Sequence, residues 1–141
     1  MMKCFWLLMI AMVMTVSGCG TAKRITSLAD LSGEWSLVAL QGKELSVVEE
    51  SRPYIGLNLD ENRMHGMSGC NRMMSTVTVD AKEQTITFGP VGGTRMACPD
   101  MSLEQGVYVA LDGVRKYAIG KDGSLVLSGE DGSELMVLRR R

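Results

Sequence analysis

The chain has 141 residues, is 45% hydrophobic but only 5% aromatic, and carries 15 basic against 16 acidic side chains with one histidine. That is one domain's length of chain, and its core must rely on Leu, Val, Ile and Met. A near-neutral balance lacks the basic field that phosphate backbones require, which argues against a nucleic-acid partner.

Lys3 gives a positive start, and Phe5 to Val16 is a short apolar stretch. Twelve residues fall short of the roughly 20 that span a bilayer, and no polar face or cap marks a buried helix. Val16-Ser17-Gly18-Cys19 then resembles the lipobox of exported bacterial lipoproteins. This pattern predicts a signal peptide over residues 1–18 and a mature protein that starts at a lipid-modified Cys19. Acyl chains such as palmitate anchor stably when two or more are attached, since each buried CH₂ contributes about 0.8 kcal/mol. Gly20 stands where Asp would resemble an inner-membrane retention signal, so the expected location is the outer membrane, facing the periplasm. Loss of Lys3 leaves 14 basic and 16 acidic side chains, a mature charge of −2. Residues 19–28 read as the lipidated Cys and a polar tether, and the folded domain spans 29–141.

Alternating segments punctuated by turns follow. Glu34 to Leu40 puts Trp35, Leu37 and Ala39 on one face, and Tyr54 to Asp60 does the same with Ile55, Leu57 and Leu59. Asp60-Glu61-Asn62 turns the chain into a strand over Arg63 to Met67. Met73 to Asp80 and Gln84 to Phe88 form the next pair. Lys116 to Ile119, Ser124 to Leu127 and Glu134 to Leu138 close the chain. Lys121-Asp122-Gly123 and Gly129-Glu130-Asp131-Gly132 join them, and Asp-Gly steps suit hairpin turns with positive φ. Arg139-Arg140-Arg141 reads as a solvated tail.

One segment changes period. Leu103, Val107, Ala110, Leu111 and Val114 have helical spacing, and Ser102 with Gln105 resembles a capping box. The spacing predicts one α-helix over Ser102 to Gly113, with Gly106 weakening it by about 1 kcal/mol relative to Ala. About eight short strands and one helix favour a mainly β fold, a small antiparallel β-barrel, because closure removes exposed edges.

Cys4 leaves with the signal and Cys19 is taken by lipid, so Cys70 and Cys98 remain as one pair in an oxidising compartment. A disulfide is the simplest reading, with a buried free pair or reactive thiols as the alternatives. Gly69-Cys70-Asn71 reads as a tight turn rather than a binding loop, with Gly69 and Asn71 tolerating left-handed geometry. Asn71 and Arg95 are nonetheless the candidate binding residues, Arg95 for an anion, set against Arg95 pairing with a carboxylate or loop carbonyls. Met64, Met67, Met73 and Met74 surround Cys70 in sequence, and Met96 neighbours Cys98. Soft sulfur favours Cu(I), yet methionine as core filler is the favoured reading, so neither a metal nor a cofactor is expected. His65, the lone histidine, completes no triad, and catalytic residues are not expected.

Leu31-Ser32-Gly33-Glu34-Trp35-Ser36-Leu37, the Gly-Cys-Asn run of Ser68 to Met73, Thr94-Arg95-Met96-Ala97-Cys98-Pro99 and the closing hairpin resemble the META domain, the HslJ-like heat-shock lipoprotein family. The resemblance covers about Leu28 to Arg139, and departs at Met74-Ser75-Thr76, where the family often has an aromatic residue. It implies a lipocalin-like barrel with a helix, an envelope location, and links to heat shock, drug tolerance or secretion, with no established catalytic residues. The expected function is therefore that of a non-enzymatic envelope lipoprotein, attached to the membrane through Cys19, that binds an envelope partner or supports the envelope under stress. A small-ligand carrier and a hydrolase inhibitor are the alternatives.

Overall fold

The structure is a computed structural model, described here for residues 27–141. The signal segment, Cys19 and most of the tether lie outside the described residues.

A turn of 3-10 helix at Leu28–Asp30 leads into β1 (Gly33–Leu40) and the two-residue β2 (Lys43–Glu44). Then follow β3 (Tyr54–Asn58), β4 (Arg63–Met67), β5 (Arg72–Asp80), β6 (Thr85–Phe88) and the two-residue β7 (Gly92–Gly93). The helix α1 (Ser102–Gly113) precedes β8 (Lys116–Ile119), β9 (Leu125–Ser128) and β10 (Glu134–Arg140). Eight strands form a closed antiparallel ring in the order β1, β3, β4, β5, β6, β8, β9, β10, and β10 pairs back onto β1. β2 pairs beside β1, and β7 beside β5.

The alternation in the sequence sets which residues point inward. Ile55 and Leu57, Met64, Met73 and Val77, Ile86, Leu125 and Leu127, and Met136 and Leu138 fill the ring from its strands. They share one core with Trp35, Leu37, Val107, Ala110, Leu111 and Val114, every member at 3% exposure or less. The expected alternation breaks after Leu37, where the β1–β10 register shifts before Ala39. A bulge there turns Ala39 to a half-buried position, because an extra residue moves the rest of the strand off the inner face.

The two ends of the ring are closed differently. At one end α1 packs on β1, β6 and β10, with Gly106 against Leu40 and Gly113 against Leu135. At the other end, where the chain enters, Leu31 is fully buried and its carbonyl accepts a hydrogen bond from Trp35 Nε1 at 2.8 Å. The Arg140 guanidinium lies 4.0 Å from the centroid of a Trp35 ring and donates to the carbonyls of Asp30 and Ser32. Arg139, Arg140 and Arg141 are exposed, as expected of a solvated end, but Arg140 is held in place. β10 continues through Arg140, and the guanidinium earns its place by stacking on the indole.

Two further expectations are corrected. Ser102 does not cap the helix through a box with Gln105, because it is already the first helical residue. Asp100 does this work instead, its Oδ1 accepting from Ser102 N at 2.8 Å, while Gln105 N donates to Met101 O. The inward stripe of α1 also contains Glu104, whereas Leu103 is only partly buried. The Asp-Gly turns form as expected, with Gly123 and Gly132 at φ of 82° and 83°, which a Cβ would strain.

Candidate functional site

At the helix end, three segments distant in sequence meet. The turn between β4 and β5 is Ser68-Gly69-Cys70-Asn71, closed by Ser68 N and Ser68 Oγ both donating to Asn71 O, at 2.9 and 3.0 Å. Gly69 sits at φ 126°, so glycine is required there. Asn71 is not left-handed, contrary to expectation; its side chain is fully buried instead.

Asn71 is the hub of the cluster. Its Oδ1 accepts from Met96 N at 2.7 Å and from Thr94 Oγ1 at 3.0 Å. Its Nδ2 lies 3.2 Å from Met96 O and 3.0 Å from each oxygen of the Glu104 carboxylate. Donors and acceptors match only in this orientation, since a flipped amide would face its NH₂ against Met96 N–H. Thr94 Oγ1 also accepts from Arg72 N, so the hydroxyl bridges β5 and the loop.

Glu104 is 5% exposed, and among the described residues no Lys or Arg lies within ion-pair distance of it. Its oxygens are met by donors instead, Asn71 Nδ2 and the Tyr108 hydroxyl, the latter at 2.8 Å. Burial pushes the Tyr108 phenol above its ordinary range; the Ser68 hydroxyl pulls it down, Glu104 raises it, and Arg95 lowers it. Tyr108 therefore remains a donor to the carboxylate at neutral pH.

The covalent tie beside this network is the Cys70–Cys98 disulfide, with Cα atoms 6.5 Å apart. It settles the cysteine pair as the simplest reading had it, and links the turn to the loop that precedes α1. Asn71 and the disulfide together hold the loop from Thr94 to Asp100 in place while its residues from Thr94 to Ala97 stay exposed.

Arg95 is exposed, and it meets neither a carboxylate within 4.0 Å nor a loop carbonyl among the described residues. The methionines do not converge. Met64 and Met73 point into the core, while Met74 and Met96 are exposed at 62% and 55%. His65 lies on the outer wall with its ring over Gly56, where a Cβ would occupy the ring's position, and its Nε2 is 3.4 Å from Glu34 Oε1. Arg141 joins them, 4.0 Å from Glu34 and 4.2 Å from the Tyr54 ring centroid.

Sequence reading named Asn71 but missed Glu104 and Thr94 as its partners, and Tyr108 as the partner of Glu104. One signal was present. Glu104 stands three residues before Val107 and seven before Leu111, so it shares the stripe that faces the core. What the site does chemically is clamp: buried polar groups of one segment hold an exposed loop of another.

The META domain family matches residues 26–141 of the chain. No curated protein matches it. Among solved structures, a protein from Burkholderia xenovorans is 25% identical, with a TM-score of 0.60 over 78% of this chain and 82% of that one. A second solution structure is 16% identical, with a TM-score of 0.58 over 76% and 87% of the two chains. A DUF4847 family protein from Bacteroides vulgatus is 17% identical, with a TM-score of 0.57 over 78% and 93%. The last two likenesses speak to the fold. With the motifs at Trp35, Asn71 and Cys98 each placed in this barrel, the chain belongs to the META domain family.

Proposed function

We propose that this protein is a lipid-anchored envelope protein that acts without catalysis, by binding a partner on its outer surface. The observation that carries the reading is the filled ring. Eighteen core side chains at 3% exposure or less occupy the space a carried ligand would need, which leaves the exterior as the place for recognition. The chain enters the ring at the end opposite α1. An anchor at Cys19 would therefore turn α1 and the loop from Thr94 to Asp100 away from the bilayer, toward partners.

A second reading, inhibition of a hydrolase, is favoured by the same loop, because an exposed segment fixed by a disulfide and Asn71 is preorganised to enter a cleft. Fractionation and in-cell crosslinking test the first reading together. Wild-type protein is expected in the outer-membrane fraction after carbonate washing, and Cys19→Ala in the unprocessed or soluble form. Photocrosslinkers at Met96 and Val109 should each be tried on stressed cells. Membrane retention of Cys19→Ala at wild-type size, or no protein adduct from any surface position, overturns the reading.

A further inference from the structure

The chain beyond β6 keeps running beside β5. Gly89 N donates to Thr76 O at 3.0 Å, Gly92 and Gly93 stand opposite Met74 and Met73, and Thr94 N donates to Arg72 O at 3.1 Å. In an antiparallel ladder alternate residues direct their N–H and C=O groups to opposite sides. Gly92 and Thr94 face β5, so Val91, Gly93 and Arg95 face away from it. No strand occupies that side among the described residues, where β7 pairs with β5 alone. The main chains of Val91 and Arg95 make no backbone hydrogen bond there. Gly92 to Ala97 are exposed, and a Cβ at Gly92 would meet only open space.

Proteins ordinarily protect such an edge with lysines, inward charges or a covering element. Here the edge is two glycines, the lowest profile a chain can offer. Its flanks carry two exposed apolar side chains, Met74 and Met96, and two exposed arginines, Arg72 and Arg95. Neither arginine has a carboxylate within 4.0 Å among the described residues. Thr94 Oγ1, Asn71 and the disulfide hold the loop end of this edge in place, so docking would cost little ordering.

We infer that the edge from Val91 to Arg95 is a docking site for an extended, acidic segment of a partner protein, added as a strand beside Arg72 and Arg95. The inference rests on the binding reading above and names its surface. Main-chain hydrogen bonds to the outward residues supply affinity, and the arginines select an acidic partner over a basic one.

A labelled peptide of alternating valine and glutamate tests it on the protein as isolated from cells. Saturable binding is expected, lost when alternate amides of the peptide are N-methylated on one edge. The double variant Arg72→Glu with Arg95→Glu should lose the glutamate peptide by about tenfold or more and gain a valine–lysine peptide. Both arginines are exposed, so the variant's circular dichroism and melting should match wild type. Equal binding of methylated and unmethylated peptides means attraction by charge alone and overturns the proposal. So does the absence of saturable binding at millimolar peptide, or a dimer of the protein that occupies this edge. Crosslinks to a partner that fall only on α1 would also sink the edge while leaving the broader binding reading intact.

Discussion

The two ends of the barrel solve one problem with opposite chemistry. Where the chain enters, Leu31 fills the opening and Trp35 is covered by the Arg140 guanidinium, so apolar surface is sealed by a single cation. Beneath α1, a buried amide, a carboxylate and a phenol are matched to one another and flanked by a disulfide. The first seal is tolerant, since dispersion and cation–π contacts survive small displacements. The second is demanding, since each group that loses its partner is left desolvated. A loop that must keep one shape is better served by the second kind.

Removing the hub or its covalent tie should show the largest effects. Asn71→Ala leaves Met96 N–H without its partner and Glu104 with Tyr108 alone, and a loss of about 3 kcal/mol is expected in denaturant unfolding. A loss below about 1 kcal/mol would show that the cluster is no more demanding than the entry end. Reducing the disulfide should cost about 3–4 kcal/mol, given a separation of 28 residues, and should free the loop from Thr94 to Asp100 to limited proteolysis before the rest of the domain. At the entry end, Arg140→Ala loses the stacking and two hydrogen bonds to carbonyls at the exposed rim. About 1–2 kcal/mol is expected, together with a change in tryptophan fluorescence near Trp35. An effect as large as that of Asn71→Ala would erase the distinction between the ends.

The smallest effect compares two copies of one device. Gly120-Lys121-Asp122-Gly123-Ser124 and Gly129-Glu130-Asp131-Gly132-Ser133 form matching hairpin loops at opposite ends. In each, the aspartate Oδ1 accepts from the serine hydroxyl at 2.6 Å and from the serine N–H. The serine hydroxyl, then the N–H, holds each carboxyl below the ordinary carboxylate range. The unfolded chain therefore binds protons first. The contribution is complete above about pH 4 and is lost as pH falls through the lower folded values. Melting temperature against pH should flatten on the acid side in Asp122→Asn and Asp131→Asn alike. Unequal slopes would assign the difference to the neighbours, Arg139 beside Asp122 and Lys116 beside Asp131.

The ring, its helix and the Asp-Gly hairpins were legible because each is written in short-range pattern: period two, period 3.6, and a residue that tolerates positive φ. Trp35, Leu37, Ile55 and Leu57 were placed on one face by alternation alone, and all four are buried. The seals were not legible, because their contacts join residues far apart. Arg140 bonds to Asp30 and Ser32 across separations of 110 and 108 residues, and no local feature distinguishes it from Arg139. Asn71 looked like turn chemistry because its neighbours are Gly69 and Cys70. Its role appears only when Glu104, 33 residues on, is folded against it. Polar residues on an apolar stripe, such as Glu104, are the one local hint of such partners.

The ring is not uniform around its circumference. β1 and β10 share register from Trp35 to Leu40, whereas β6 and β8 meet at a single pair, Thr85 opposite Lys116. Two hydrogen bonds flank that pair, Ile86 N to Arg115 O at 3.0 Å and Tyr117 N to Gln84 O at 3.1 Å. The barrel is thus mechanically a split hoop with a short clasp. Thermal breathing should begin there, with the Ile86 and Tyr117 amide protons exchanging ahead of those in the β1–β10 ladder. When the clasp parts, β8, β9 and β10 swing as one flap hinged on β1, and water first enters the core beside Ile86.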